Sequence, residues 1–464
     1  MIDIVSPATG DVVAQVPRGT REDVGRAVAA AREAQAAFGR RTAFERAKLC
    51  HAVADVLQSR REDLARHLAL EQGKPLKAEA LGEVDVAARM FRMAAEDGVR
   101  LEGAVLPSES PDKRIFALRR PRGVYGVITP WNFPYAIPTE YISAALATGN
   151  AVVWVPALTT AGCAVRLLQA LHDAGVPPGL VNLVTGDGAE VGDETAGHPG
   201  IDAVGFTGSP PVGLKVARRA AGKPQLLELG GNAPTIVLED ADPVDAARRA
   251  GRGAFWNAGQ ICDSTERILV HRSLHGPFVD ELLRVAAEFR LGHPLEADTT
   301  LGPVHLARGL ETIERHLEDA VRRGARVLTG GRRAEGFATS HYFPATVVDR
   351  VPPAALLNLE ETFGPVAPML TFETDDEAVA LADASPTGLV ASVFSADLRR
   401  ALRVGGRLRA GIVNVNEGSA YWEPHTPFGG ASGKQSGVGR LGGRHTLLEM
   451  TQTKTMVVDV GEPE

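Results

Sequence analysis

The sequence predicts an α/β protein built around parallel sheets, and three observations predict it. Short apolar runs alternate with stretches of helical periodicity through the middle of the chain, the pattern of strands joined by crossover helices. A second such series begins near residue 234, directly after the glycine pair Gly230-Gly231. The length, 464 residues at 44% hydrophobic and 23% charged, is too great for one ordinary domain and enough to fill more than one core.

In chain order, residues 22–97 read as helical. The run 123–128 reads as a strand, ending at the turn Thr129-Pro130-Trp131-Asn132-Phe133-Pro134 and followed by an apolar helical stretch. Strands are expected at 151–155, 181–184 and 203–206, with helices over 161–174 and 211–221. The second series opens at Pro234-Thr235-Ile236-Val237-Leu238 and reaches about Phe428. Two charged, strand-like segments, near 114–120 and 453–460, are too short to form a domain of their own. The run Gly186-Asp187-Gly188-Ala189-Glu190-Val191-Gly192 looks like a dinucleotide fingerprint but has one residue too many before its third glycine, so a plain loop is expected there.

Composition narrows the function classes. A net charge of −7 without clustered basic residues leaves no electrostatic footprint for nucleic acid and none for a membrane surface; a small-molecule partner is expected. The three cysteines, Cys50, Cys163 and Cys262, imply no disulfide framework and a reducing compartment, with Cys50 and Cys163 in helical patterns read as core. The start lacks a basic region followed by an apolar run, and no stretch of about 18 apolar residues occurs, so a cytoplasmic location is expected. No His-Glu-x-x-His spacing occurs among the twelve histidines, and no metal is expected.

Three polar groups stand out. Cys262 follows the glycine turn Asn257-Ala258-Gly259-Gln260-Ile261 and precedes the apparent strand at 267–271, a placement that presents a thiol; the alternative is a buried, inert cysteine. Glu228 lies among leucines in Gln225-Leu226-Leu227-Glu228-Leu229, where desolvation would raise its pKa toward that of a useful general base, or where backbone amides would simply satisfy it. Prolines on both sides of Asn132 fix a rigid amide donor of the kind that stabilises an oxyanion; a well-packed turn is the alternative. Thiol, carboxylate and amide together suit acyl-type chemistry on a carbonyl. The strand end Phe206-Thr207-Gly208-Ser209, running into a helix, could hold pyrophosphate on free N–H groups at the positive end of the dipole.

With these residues in hand, the chain resembles the NAD(P)-dependent aldehyde dehydrogenase superfamily over nearly its whole length. The segments that carry the resemblance are Ser6-Pro7-Ala8-Thr9-Gly10, Pro130-Trp131-Asn132-Phe133-Pro134, Phe206-Thr207-Gly208-Ser209, Leu227-Glu228-Leu229-Gly230-Gly231, Gly259-Gln260-Ile261-Cys262, Glu360-Glu361-Thr362-Phe363-Gly364-Pro365-Val366 and Pro427-Phe428-Gly429-Gly430, in the family's order. The interval of 34 residues from Glu228 to Cys262 is the family's own. The resemblance implies two Rossmann-like parallel-sheet domains plus a small oligomerisation sheet: a cofactor-binding domain from 1–100 and 122–231, a catalytic domain from 232–430, and a subunit-pairing segment from 101–121 and 440–464. A homodimer or homotetramer is expected, since such a sheet is an edge needing a partner.

It also implies oxidation of an aldehyde to a carboxylic acid with NAD or NADP, through a thiohemiacetal on Cys262 and a thioester hydrolysed by water activated by Glu228, with Asn132 holding the oxyanion. Thr129, Pro130, Trp131, Leu229 and Gly230 would join Phe206 to Ser209 in binding the cofactor, Glu361 would bind the nicotinamide ribose and Phe363 would pack near the ring. Tyr135, Trp256, Asp263 and Phe428, with Tyr421, Trp422 and His425, would border the approach to the thiol, while Glu140 and Tyr141 replace an aromatic–lysine pair.

The chain departs from the family at Val155 and Leu158, where a lysine and a glutamate usually bind the adenosine ribose, so the choice between NAD and NADP is open. Alternatives are a CoA-acylating enzyme, against which Glu228 argues, a non-catalytic homologue keeping only the fold, and a thiol hydrolase without redox chemistry. Acids near the thiol and no evident arginine favour neutral or cationic aldehydes over anionic ones.

Overall fold

The computed structural model describes residues 1–461; the last three residues of the expected pairing segment, 462–464, lie outside the described residues. Two open sheets dominate the chain. The first has six strands in the order Gly437–Val438, Gln225–Leu229, Ala203–Gly208, Val124–Thr129, Ala151–Pro156 and Val181–Leu183. All but the two-residue strand are parallel. From Val124–Thr129 the chain winds one way to Ala151–Pro156 and Val181–Leu183, then returns to the other side for Ala203–Gly208 and Gln225–Leu229. Its topological switch point therefore lies between the carboxyl ends of Val124–Thr129 and Ala203–Gly208, where doubly wound sheets leave a ligand crevice. These strands are buried along nearly their whole length, the reason they read as continuous apolar runs.

Ala136–Thr148 and Arg21–Phe38 pack on this sheet, Ala43–Ser59 and Leu81–Gly98 pack in turn on Ala136–Thr148, Arg61–Gln72 packs on Leu81–Gly98, and all of them share one hydrophobic core with the sheet. Residues 22–97, expected as helical, form four α-helices and a π-turn at Leu76–Ala80. The glycine-rich run 186–192 differs from the expected loop. Gly188–Gly192 is a π-helical turn whose first N–H groups are met by Asp187, which accepts from Ala189 N at 2.9 Å, and it runs directly into the helix Asp193–Gly197.

The second sheet has seven strands, with Ala233–Val237 and Thr265–His271 side by side and parallel at its centre. Three antiparallel strands, Thr451–Asp459, Lys113–Pro121 and Ala104–Leu106, form a third sheet. It leaves Val105, Leu106, Met456 and Val457 exposed. The helix Gly443–Glu449, which precedes this sheet, packs instead on Leu81–Gly98 and Ala136–Thr148. No described helix is long and apolar enough to cross a membrane.

Candidate active site

Glu228 and Cys262 come together because the chain passes from one sheet to the other in three residues. Gln225–Leu229 ends the first sheet, Ala233–Val237 begins the second, and Gly230-Gly231-Asn232 joins them. The crossing is tight: a Cβ on Gly231 would stand 2.4 Å from the carbonyl oxygen of Cys262, and one on Gly230 would stand 2.5 Å from a carboxylate oxygen of Glu361. Only glycine permits this approach.

The loop that presents Cys262 winds left-handed over three successive residues, Asn257, Ala258 and Gly259, with φ of 49°, 54° and 69°. Two of them carry side chains, at a cost of about 1–2 kcal/mol each, and the surroundings hold them there. Asn257 N donates to Glu79 at 2.9 Å, Gln260 Nε2 donates to the Asn257 carbonyl at 2.9 Å, and Gln260 Oε1 accepts from His305 N at 2.8 Å. At Gly259 a Cβ would meet the Gly364 carbonyl at 2.0 Å.

Asn132 faces this loop. Its amide Nδ2 donates one N–H to the Gln260 carbonyl at 3.0 Å, leaving the second N–H for another acceptor. The neighbouring prolines are only part of what fixes it. Lys74, buried and paired with Glu83 at 2.6 Å, donates to the Asn132 carbonyl at 2.9 Å, and the other oxygen of Glu83 accepts from Tyr135 N and Ala136 N. The expectation from sequence missed this clamp; the spacing Lys74, Glu79, Glu83 before a helix was its visible trace.

Carboxylates set the electrostatics. Burial drives the Cys262 thiol well above its ordinary range, and Asp263, Glu228, Glu361 and Glu140 push it the same way. Burial also raises Glu228 strongly, with Glu140 and Asp263 adding and Arg440 opposing; its Oε1 is buried without a partner. Glu140 and Glu361 are pushed up to about 8 and Asp263 to about 7, in each case chiefly by desolvation. Desolvation makes such a partnerless carboxyl a stronger proton acceptor than one in water.

The residues expected to bind the cofactor gather about the carboxyl ends of Val124–Thr129 and Ala203–Gly208, at the switch point. The expected N–H groups at the start of the helix Pro210–Arg219 are absent: Pro210 and Pro211 have none to offer, and Val212 N and Gly213 N donate to the Ser209 carbonyl at 3.1 and 2.9 Å, so an anion there would meet only the positive end of the helix dipole. Thr129 accepts from Trp154 Nε1 at 2.8 Å, Thr207 bonds Tyr141 at 2.8 Å, and Phe206 and Leu229 are buried. Glu361 accepts from Gly231 N at 3.1 Å, and Glu266 accepts from Thr362 N and Phe363 N at 2.9 Å each, fixing Phe363 at a φ of 52°. Trp131, beside Pro130, stacks on His305 at 4.7 Å and meets Phe363 edge-on at 5.7 Å. His305, absent from the residues singled out in the sequence, is held neutral, its pKa lowered to about 3 by burial; it bridges the Gln72 carbonyl and the Thr159 hydroxyl. Val155 lies in the core of the first sheet and Leu158, half-buried, packs against the cluster of Ile4, Val16 and Ala161, so no charged side chain stands at the two positions of the missing ribose pair.

On the substrate side, Trp256 is exposed and packs edge-on against Phe133 at 6.1 Å, while Trp422 meets Phe428 at 6.3 Å. Asp263 is buried with Oδ1 unpartnered, and Tyr421 and His425 are exposed around Glu423. Tyr135 corrects the expectation that it borders the approach. Its ring is 1% exposed and its hydroxyl lies by Cys163 and Glu71 in the core, because its position at the start of Ala136–Thr148 turns it inward.

A presented thiol, a partnerless carboxyl and a clamped amide beside a dinucleotide crevice define an oxidoreductase that works on a carbonyl through a covalent thiol adduct. Residues 1–456 match the model of the Aldehyde dehydrogenase family. The chain is 37% identical to a glutarate-semialdehyde dehydrogenase of Pseudomonas putida over 99% of its length and 94% of that protein's. It is 38% identical to an NADP(+) succinate-semialdehyde dehydrogenase of Escherichia coli, over 98% of this chain and 93% of the relative. A betaine aldehyde dehydrogenase of Staphylococcus aureus, solved with NAD+, superposes with a TM-score of 0.95 at 34% identity, covering 100% of this chain and 92% of the other. The chain belongs to the aldehyde dehydrogenase family, and it is an NAD- or NADP-dependent enzyme that oxidises aldehydes to carboxylic acids.

Proposed function

We propose that this enzyme oxidises neutral or cationic aldehydes, with Cys262 as nucleophile, Asn132 as oxyanion donor and Glu228 as base. The Cys262 thiolate attacks the carbonyl carbon, and the resulting oxyanion takes hydrogen bonds from the free N–H of Asn132 and the backbone N–H of Cys262. A bound NAD or NADP would supply the hydride acceptor for oxidation of this thiohemiacetal to a thioester. Glu228 then removes a proton from water, which attacks the thioester and releases the acid. Thr129, Pro130, Trp131, Phe206 to Ser209, Leu229 and Gly230 would hold the cofactor, with Glu361 at the ribose and Phe363 against the ring.

The observation that carries the substrate class is the set of acids that act on the thiol, the buried Asp263 and Glu228 and the half-buried Glu140 and Glu361, together with the aromatic pairs Phe133–Trp256 and Trp422–Phe428. Toward and above pH 8, where Asp263, Glu140 and Glu361 ionise, a second carboxylate on the substrate would meet like charge, and at lower pH it would find no cation among them, whereas an ammonium could rest on aromatic faces. A second reading is a semialdehyde of a dicarboxylic acid, as the names of two relatives suggest. It is favoured by Arg252, exposed and without an ion pair among the described residues, in a groove of about 340 Å³ beside Trp256 and Tyr421. The kcat/KM values for neutral, cationic and anionic aldehydes of matched length, measured with NAD and NADP separately, test both. If the anionic aldehyde is best, the first reading fails and Arg252 becomes the anchor to remove.

We infer further that residues 1–100 and 122–231 serve as the cofactor domain, 232–430 as the catalytic domain, and 101–121 with 440–464 as the pairing segment. The exposed apolar side chains on the small sheet support a homodimer or homotetramer. Three free cysteines, one in the active site, support a reducing, cytoplasmic setting.

A further inference from the structure

No metal was expected from the spacing of the histidines, yet a second cluster of chemistry-bearing side chains lies in the core. His67 and Glu71 sit one turn apart on the helix Arg61–Gln72, and Cys163 faces them from the helix Ala161–Asp173. One ligand atom from each, an imidazole nitrogen, a carboxylate oxygen and the thiol sulfur, all lie within 4.8 Å of one another, and all three residues are buried. His67 Nε2 and Glu71 Oε2 stand 2.5 Å apart without a geometrically sound hydrogen bond. Tyr135, 1% exposed, turns its hydroxyl toward Cys163 and Glu71, and that hydroxyl also lacks a partner. The space is kept open by a missing side chain: a Cβ on Gly162 would stand 2.6 Å from Glu71 Oε2 and 2.9 Å from His67 Nε2.

We propose that His67, Glu71 and Cys163 bind one zinc(II) ion, with the Tyr135 hydroxyl or a water as fourth ligand. Nitrogen, oxygen and sulfur donors in one small, nearly dry space match the ligand set and four-coordination of structural zinc. The charges close: the thiol proton leaves to bulk water, and one thiolate with one carboxylate neutralises the dication, so the buried cluster carries no net charge. His67 and Glu71 would part to about 3.4 Å, the spacing of two ligands on a tetrahedral ion with bonds near 2.1 Å. The imidazole, whose side chain is 9% exposed, is the entry edge. The ion would tie the two helices together just before Gln72 and Lys74, which hold His305 and the Asn132 carbonyl. Its role is structural.

Cobalt(II) added to the chelator-treated full chain tests this directly. The expected result is one cobalt per chain with the intense d–d bands of a four-coordinate ion and a thiolate-to-cobalt charge-transfer band, displaced by one equivalent of zinc. Both bands persist in Cys262→Ala, and the charge-transfer band is lost in Cys163→Ser. A six-coordinate aquo spectrum on the unsubstituted chain overturns the proposal without recourse to any variant. So does a charge-transfer band that survives Cys163→Ser but not Cys262→Ala.

Discussion

Two strands of one sheet end in opposite ways. Gln225–Leu229 ends in a buried carboxylate and a glycine pair pressed against Cys262 and Glu361, whereas Ala151–Pro156 ends in Val155 and, two residues beyond the strand, Leu158. At the first, close packing and desolvation place a reactive group, and loss of any one atom leaves a hole or an unpaired charge. At the second, Val155 and Leu158 pack into apolar clusters and put no charged group where a cofactor contact was expected. The candidate chemical groups therefore concentrate at the first strand end.

The largest break of that contrast is Cys262→Ala, expected to lower dehydrogenase turnover about 10³-fold or more; retained turnover would move the chemistry elsewhere. Next is Asn132→Ala, expected to lower kcat about 10²–10³-fold, as loss of an oxyanion donor does. Glu228→Gln separates the two steps. Hydrolysis slows more than hydride transfer, so rapid mixing should record a burst of about one reduced cofactor per site. At the apolar end the effects shrink: Val155→Lys is expected to tighten NAD or NADP by about tenfold through one charge-assisted bond, read by titration of cofactor fluorescence. A native enzyme with a strong preference for one cofactor would show that another residue reads the 2′ position.

The smallest effect is a pH shift. Glu140, with a pKa of about 8, is ionised where the thiol titrates and raises the thiol further. Glu140→Gln should therefore move the alkaline rise of kcat/KM to lower pH, by less than about one unit. An unmoved profile would place Glu140 outside the electrostatic reach of Cys262.

Features written in contiguous residues were legible in the sequence. The alternating runs announced the two parallel series, and Cys262, Glu228 and Asn132 each stood out against their immediate neighbours. What could not be read depended on distant partners. Lys74 holds Asn132 from 58 positions away and Glu79 holds Asn257 from 178, and neither local pattern names its target. Tyr135 failed for a different reason: at the first turn of a helix the direction of a side chain is set by the turn before it. His67 and Glu71 stand four residues apart in the chain, and only packing brings Cys163 to them.

The left-handed turn before Cys262 has a consequence for chirality. At Asn257, Ala258 and Gly259 the backbone has the dihedral angles natural to the mirror-image amino acids. Of the three, Ala258 alone has neither glycine's symmetry nor a short polar side chain to ease the conformation. A D-alanine introduced there by chemical ligation would sit in its own preferred region, where the encoded L-residue is held only by its neighbours. The nucleophile thus comes after a turn of inverted handedness, written with one achiral glycine and two L-residues held against their preference.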